Sequence, residues 1–454
     1  MWKIEVHLPR SAFYGLGRCA ANLILLGCIL GRSSEAQEVK TLRLTLRDAV
    51  QIALRQNPQV QIASLNIAES QSNQAIARSA LLPQISGNAS ESVRRLNLQT
   101  ALGRTFQGFP GHIGPFWVSE AGAAGSAPLL DVSAWLRWQA SKDDVTGTRA
   151  DNQTVREQYV QLVVSQYLGS WRAAADVQAA QSRMDLAKAL FDQAADLQRS
   201  GAGTGIDTLR ANVQYQNERQ RVIQAQTGLR TSLYGLARLL NLAPDVMIEL
   251  ADVSEFFVTP PSSADENLER AWMQRPEMQA LDARIRAAET QKRAVQAERV
   301  PKLNVTGNWA EQGLEPTKTI PVYEFAASID FPLFTGGRIG AQASVADIEA
   351  KKLMQELTDV RNRITLEVRT AAAELNAARE EVEVANLGVD LARQEVMQAR
   401  DRFEAGVANN IEVITAQDEL ARANDNQITA LYRYNQARAD LAHATGQMEA
   451  LYGR

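Results

Sequence analysis

Cysteine and histidine are scarce in this chain of 454 residues. The two cysteines, Cys19 and Cys28, both lie near the N-terminus, so disulfide bonds cannot provide the framework of the mature fold. The three histidines, His7, His112 and His443, are far apart in sequence and lack the spacing of a metal site. We therefore expect no metal and no other cofactor.

A strong charge of either sign is also missing, since the formal net charge is -4. No basic patch stands out, which excludes a strongly basic nucleic-acid binder and predicts no nucleic-acid partner. The chain has no Ser-His-Asp order, no P-loop and no Rossmann glycine pattern. We therefore predict that the protein is not an enzyme.

The N-terminus has the features of a secretion signal. Lys3, Arg10 and Arg18 precede an apolar run over residues 20–30, and Ala36 follows at a small-residue cleavage site. Lipidation at Cys28 and a buried N-terminal helix are the alternatives. No later segment has the ~18 uninterrupted apolar residues of a membrane-spanning helix.

The remaining chain contains an internal duplication. Asn57-Pro58 recurs as Arg275-Pro276, displaced by 218 positions, and Gly201 recurs as Gly406, displaced by 205 positions. Such a repeat length indicates a duplicated structural unit rather than a short-period solenoid. The predicted division is a signal peptide at 1–36, a first repeat at 37–243, a linker at 244–263, a second repeat at 264–446 and a C-terminal tail at 447–454.

Each repeat contains a long helix with an alanine-rich seam. Ile364, Ala371 and Ala378 begin a series with a spacing of seven, and Val368 and Leu375 begin a second series four residues later. This a/d pattern, which the first repeat shares, demands supercoiling. No proline interrupts residues 135–198 or 340–404, so each helix would approach 100 Å and must lie in an extended assembly. A dimeric coiled coil or a periplasmic adapter hairpin is the alternative.

Four segments have the pattern of strands, two in each repeat. The clearest runs from Tyr323 to Leu333, with a partner from Leu303 to Trp309 and a connecting loop over residues 312–321. In the first repeat the strands are predicted at 84–98 and 116–129. A barrel needs ~8 strands, so either several chains share one barrel or the strands form a soluble sheet.

Several short motifs occur in order along the chain. They are the Leu46-Arg47-Asp48-Ala49 opening with Asn57-Pro58, the Leu82-Pro83 helix end, and Phe331-Pro332-Leu333-Phe334-Thr335-Gly336-Gly337. Together with the glycines of the two helix-hairpin tips, they make the chain resemble the TolC-like outer-membrane efflux proteins from Thr45 to Gly446.

The resemblance implies a mainly α-helical fold in which three identical chains form a helical tunnel across the periplasm. Each protomer would contribute four strands to a shared 12-stranded β-barrel in the lipid of the outer membrane. The expected function is passive conduction of cargo from an inner-membrane pump and a periplasmic adapter to the exterior, in efflux or type I secretion. A structural or adapter coiled-coil protein of the periplasm is the alternative, and the cargo stays open.

The resemblance also indicates where function concentrates. The adapter-docking tips would contain Gly201 and Ala202 in the first repeat and Gly406 and Val407 in the second. Three-fold symmetry would turn Glu412 into a ring of three carboxylates that favours cations, and Asp207 is a second candidate for such a ring. The alternative is that both acids complement helix dipoles.

The aperture of this chain departs from the family pattern. Phe403 stands where a tyrosine helps to hold the best-known member shut, Ala408 stands where that member has an arginine, and Thr415 replaces an acid of the ring. The closing hydrogen bonds of that member therefore cannot form, and we predict closure by apolar packing around Phe403.

Overall fold

In the computed structural model, the described residues are 41–98, 100, 103, 108, 110–201, 203–243, 246–251, 263–405, 407–408 and 410–453. The predicted signal peptide with Cys28, and the tip residues Ala202 and Gly406, lie outside them. Within this part of the chain, no helix is both long enough and apolar enough to cross a bilayer.

The first half begins with a short strand and a broken helix. It comprises β1 (Thr41–Leu44), α1 (Leu46–Gln56), α2 (Pro58–Ser79), β2 (Gln84–Asn97), β3 (His112–Leu130), α3 (Val132–Arg199) and α4 (Gly205–Leu239). Asn57 breaks the first helix because its side-chain oxygen caps α2 by accepting from the Gln59 N–H at 2.9 Å. The same side chain donates to the carbonyl of Leu239 at 2.9 Å, which ties this break to the end of α4.

The second half repeats the order of helix, strand pair and long hairpin. It comprises β4 (Met247–Leu250), α5 (Ala264–Gln274), α6 (Pro276–Gln296), a 3-10 turn (Ala297–Arg299), β5 (Lys302–Glu315), β6 (Lys318–Asp330), α7 (Arg338–Glu404), α8 (Asn410–Ala444) and α9 (Met448–Tyr452). Gly336 and Gly337 both have positive φ, which glycine adopts without steric cost, and they turn the chain from β6 into α7.

The four long strands form one antiparallel sheet in the order β2-β3-β5-β6. Trp309 faces Tyr323 across β5 and β6, and Gly313 faces Thr319. The predicted loop over 312–321 is therefore wrong, because cross-strand pairing continues until only two residues remain for the turn. The predicted strand end at Leu333 is also wrong, since β6 ends at Asp330 and Phe331 and Leu333 follow the strand.

The two long hairpins pack along the predicted seams. α3 has 68 residues and α7 has 67, so each extends about 100 Å. Ile364 and Val368 are completely buried, and Val382 and Ala378 pack against Tyr434 of α8. Across the hairpins the helices lie in the order α4, α3, α8, α7, because α3 packs against α4 and α8 while α8 packs against α7.

A second core lies where the two halves meet, at the ends of the hairpins away from their tips. β1 pairs in parallel with β4, which falls inside the predicted linker. The hydroxyl of Tyr167 donates to the carbonyl of Leu44 at 3.0 Å, which attaches β1 to α3. Residues 448–452, which the sequence assigns to a C-terminal tail, form α9 and bury Met448 completely.

Candidate functional site

The tip of the first hairpin is a tight turn at Gly201, where φ is +80°. The Gly201 N–H donates to the carbonyl of Gln198 at 3.1 Å, and the Gly203 N–H donates to the carbonyl of Leu197 at 2.9 Å. A Cβ atom at Gly203 would meet the Leu197 Cβ at 2.9 Å, so a larger residue would open the turn. These contacts explain why glycine occurs twice within three positions.

Asp207 occupies the first turn of α4. Its backbone N–H donates to the hydroxyl of Thr204, the N-cap residue, at 3.4 Å, and that hydroxyl donates to the Asp207 carboxylate. Arg210 lies 3.9 Å from the same carboxylate. A negative charge in this position also complements the positive end of the helix dipole. Asp207 therefore bonds to the N-cap residue of its own helix in the single chain.

Glu412 occupies the equivalent place in α8. Its carboxylate lies 2.8 Å from Nε of Arg402, in the last turn of α7, and both side chains are about half exposed. Sequence reasoning missed Arg402 as a partner, although a basic residue that ends the preceding helix was an available signal. Thr415 lies one turn further along and donates its hydroxyl to the carbonyl of Ile411 at 2.9 Å. Glu412 and Thr415 therefore lie one turn apart at the N-terminal end of α8.

Phe403 lies between the two hairpins, where it packs against a buried apolar cluster. The buried members of this cluster come from all four long helices and are Leu190, Ala194, Ala211, Ala399, Val413 and Ala416. Phe403 also lines a cavity of 690 Å³ together with Leu190 and Val413. Phe403 thus contacts an apolar cluster on one side and a partly polar cavity on the other, and its role in closure stays a prediction.

An apolar groove of 460 Å³ lies between α4 and α8 close to the tips. Its apolar lining consists of Ile206, Leu209, Val213, Ile411 and Ile414. Ile206, Leu209 and Val213 are each more than half exposed, as is Val407 at the second tip. Sequence reasoning missed this groove, although Ile206 and Ile411 follow the two tip glycines at the same repeat offset of 205.

Within the described ranges, no group of three or more His, Cys, Asp or Glu side chains could hold a metal ion.

A four-stranded sheet joined to two hairpins of about 100 Å defines the class of protein. The same fold occurs in the outer membrane channel CmeC of Campylobacter jejuni, with a TM-score of 0.75 and 16% sequence identity. The match covers 88% of this chain and 85% of the CmeC chain. The fold is therefore that of the TolC-like channels.

The family model described as outer membrane efflux protein matches residues 49–242 and 267–447, and the chain belongs to this family. It is similar to the alkaline protease secretion protein AprF of Pseudomonas aeruginosa, with 25% identity over 421 residues that cover 89% of this chain and 85% of AprF. It is also similar to the proteases secretion protein PrtF of Dickeya chrysanthemi, with 22% identity over 444 residues that cover 94% of this chain and 92% of PrtF.

The predicted family, fold class, channel function and location are thereby confirmed. The chain is an outer-membrane channel component of an efflux or secretion system, and its helical part lies in the periplasm. The family consists of transport channel proteins.

Proposed function

We propose that three copies of the chain close into one passive duct and that the duct exports polypeptides. The observation that carries the proposal is that, in a single chain, both the sheet and the row of long helices end in two open edges. With four strands from each chain, three copies supply the twelve strands of a closed barrel. Closed rings arise when one margin of a subunit fits the opposite margin of the next.

The sheet margins are the edges of β2 and β6. An open edge exposes unpaired backbone groups, which is costly in lipid, so pairing between β6 of one copy and β2 of the next removes the cost. One face of the β5–β6 pair carries Trp309 and Tyr323, and the other carries Asn308 and Glu324. Lipid of the outer membrane contacts the apolar face, and the polar face lines the duct.

The helical margins are α4 and α7, which both carry unpartnered apolar side chains. On α4, above the groove near the tips, Ile223 and Tyr234 are 59% and 61% exposed. On α7, Val384, Leu387 and Leu391 are 56–71% exposed. Large exposed apolar patches of this kind mark interaction sites, and a second copy covers each stripe in the closed ring.

The tips form the periplasmic aperture in this assembly. Three copies of Glu412, with Asp207 on the neighbouring hairpin, place acids around the three-fold axis. The packing of Phe403, together with Thr415, sets the width of the aperture. A periplasmic adapter docks at Gly201, Ala202, Gly406 and Val407, and its apolar side chains enter the groove lined by Ile206 and Ile411. An inner-membrane pump supplies the energy, since a passive duct supplies none.

The cargo assignment rests on the two relatives described above. AprF and PrtF are both named as protease secretion proteins. We therefore assign polypeptide substrates to this duct, in a type I secretion system.

A disulfide experiment tests the ring. Ile223 lies 18 residues from the start of α4 and Leu387 lies 17 residues from the end of α7, so both stand about 26 Å above the tips. A chain with Ile223→Cys and Leu387→Cys should form covalent trimers in membranes on oxidation. The control pairs Ile223→Cys with Leu366→Cys, which is equally exposed but about 30 Å higher on α7, and should stay monomeric on denaturing gels. Monomers from both pairs would refute the ring.

A secretion experiment tests the cargo. The extracellular proteins of a strain that lacks the gene are compared with those of the complemented strain, alongside susceptibility to antibiotics. We expect loss of specific secreted polypeptides. A change in antibiotic susceptibility with an unaltered set of secreted proteins would replace polypeptides by small molecules as the cargo.

A further inference from the structure

The two helix breaks of the duplicated unit are each tied to the end of a long hairpin. At the first break, the Asn57 side chain donates to the carbonyl of Leu239 at the end of α4. At the second break, Nη1 of Arg275 donates to the carbonyl of His443 near the end of α8, at 3.1 Å. We call the surroundings of Asn57 and Leu239 the first joint, and those of Arg275 and His443 the second joint.

The second joint holds a buried positive charge. The Arg275 side chain is 4% exposed, and two of its nitrogens each lie 3.1 Å from an oxygen of the Glu277 carboxylate. Nη1 of Arg275 also lies 3.0 Å from the Glu367 carboxylate of α7. A buried charge is costly unless its partners stay in place. The guanidinium of Arg275 therefore depends on both carboxylates while it holds the end of α8.

His443 places a group that titrates near neutral pH in the second joint, and its side chain is only partly exposed. The charged groups that face it come from the break and from α6, α7 and α8, and they are Arg275, Glu277, Glu367 and Asp440. Burial lowers the pKa of His443, and the guanidinium of Arg275 lowers it further, against the opposite effect of the three acids. The folded joint therefore prefers the neutral ring.

The neighbouring acids already have other partners. Glu277 and Glu367 both pair with Arg275, and Arg363 of α7 lies 3.8 Å from Glu367. Asp440 accepts from Gln161 at 3.1 Å and from Gln436 at 2.9 Å.

Protonation of His443 puts a second positive charge beside the buried guanidinium of Arg275. Like charges repel strongly where little water screens them. The charged ring also competes for the carboxylates of Glu277 and Glu367, on which Arg275 depends. Both effects weaken the contact between Arg275 and the carbonyl of His443.

The duplication supplies an internal comparison. The positions of the first repeat that correspond to Arg275, Glu277, Glu367 and His443 hold Asn57, Gln59, Leu162 and Arg238. Asparagine, glutamine and leucine carry no charge, and arginine stays protonated throughout. Arg238 is moreover exposed to water. A change of pH near neutrality therefore alters the second joint and leaves these four positions of the first joint as they are.

We propose that the second joint is an acid-sensitive latch, in which protonation of His443 loosens the hold of Arg275 on the end of α8. The end of α8 is the base of the second hairpin, so release lets that base separate from the break between α5 and α6. Gln447, four residues after His443, donates to Gln274 at 3.0 Å and is released with it. The latch operates in a single chain, whether or not three chains form a duct.

The direction of the pH dependence follows from the lowered pKa of His443. In the unfolded chain this side chain has its ordinary pKa of about 6.5, so the unfolded chain binds the proton before the folded chain does. The stability of the folded chain is therefore unaffected by His443 above about pH 6.5. It decreases as the pH falls from there toward the folded pKa.

Hydrogen exchange of the full chain at pH 7.5 and at pH 5 tests the latch. Protection is calculated against the intrinsic exchange rate at each pH, for segment 441–447 at the second joint and segment 236–242 at the first. His443→Asn removes the titrating group, and His443→Arg supplies a permanent charge. His112→Asn is the control, because His112 is exposed at the start of β3, far from both joints in the chain.

We expect protection at 441–447 to fall severalfold from pH 7.5 to pH 5 in the unaltered protein and in His112→Asn, while protection at 236–242 stays constant. His443→Asn should be equally protected at both pH values, and His443→Arg should be poorly protected at both. A fall that persists in His443→Asn would assign the effect to other groups and overturn the latch. Constant protection in the unaltered protein would overturn it as well. If His443→Arg does not fold, the comparison with His443→Asn decides.

Discussion

The two long hairpins come from one duplicated unit but bury different kinds of side chain. Helices α4 and α8 both have 35 residues, and α3 and α7 differ by one residue in length. The first hairpin buries Glu157, Ser170 and Glu218. Among the described residues of 338–444, no charged side chain is buried, and the seam contains Val368 and Val382 instead.

The difference separates two ways to hold helices together. The hydrophobic effect in an apolar seam has no directional requirement and stabilises the hairpin along its whole length, so the hairpin is stiff. A buried charge is costly unless a particular partner is in place, so it makes the arrangement depend on that partner. The second hairpin therefore behaves as a rod, whereas the first specifies where its neighbours must lie.

The largest expected effect comes from placing a charge in the uncharged seam. Val382→Asp buries a carboxylate at a position that is 1% exposed, and we expect a loss of about 4 kcal/mol or more in unfolding free energy. Val177→Asp, at the equivalent and only half-buried position of α3, should cost much less. Thermal unfolding followed by circular dichroism measures both. Equal losses would mean that the two seams do not differ.

A smaller effect is expected at Phe403, which packs between the hairpins. Phe403→Ala removes part of the apolar cluster with Leu190 and Val413, and we expect a loss of about 2 kcal/mol together with greater leakage through the closed channel. Gln198→Ala, at the equivalent and exposed position of the first hairpin, is the control and should change neither stability nor conductance. Closed-state leakage that stays unchanged in Phe403→Ala would contradict closure by apolar packing.

A pH-dependent effect is expected at Glu449, which attaches α9 to the first hairpin. The hydrogen bond from Arg156 lowers the pKa of Glu449, and Nε of Arg156 lies 3.0 Å from the carboxylate. Because the folded pKa is lowered, the contribution to stability is present above the ordinary carboxyl value of about 4.5 and is lost as pH falls through the folded value.

The measurement is the melting temperature of the unaltered protein and of Glu449→Gln between pH 7 and pH 3. The unaltered protein should melt about 1 °C higher at neutral pH, from about 1 kcal/mol, and the gap should close in acid. A gap that is constant with pH would show that the carboxylate charge contributes nothing.

The smallest effect is expected for charges on the surface of the second hairpin. Arg433 of α8 lies 3.4 Å from Glu381 of α7, and both side chains are about half exposed. Arg433→Met should change the unfolding free energy by less than about 0.5 kcal/mol. Chemical denaturation measures the change. A loss several times larger would show that this surface ion pair, and not the apolar seam alone, stabilises the second hairpin.

Most of the helical architecture could be predicted from the sequence. The proline-free segments matched α3 and α7 to within a few residues, because a heptad seam repeats along one continuous segment. The strands were harder, since residues after Trp309 alternate poorly, and only pairing with β6 extends β5 to Glu315. β1 and β4 escaped prediction because each has four residues and becomes a strand through its distant partner.

The same distinction holds at the tips. Asp207 and Glu412 could be located from the repeat, but the pairing of Glu412 with Arg402 and the groove between Ile206 and Ile411 depend on how the helices pack. Nothing near Glu218 in the sequence marks it as buried, because its partner Arg183 lies on another helix.

By itself, the sequence determined the duplication, the length of the rods, their seams and the family, because these depend on spacing within a continuous segment. Only the tertiary structure decided which charges are buried and which helices they join. Burial and pairing depend on segments that are distant in the chain, and the free energy of a charge is set by what surrounds it rather than by its neighbours in sequence.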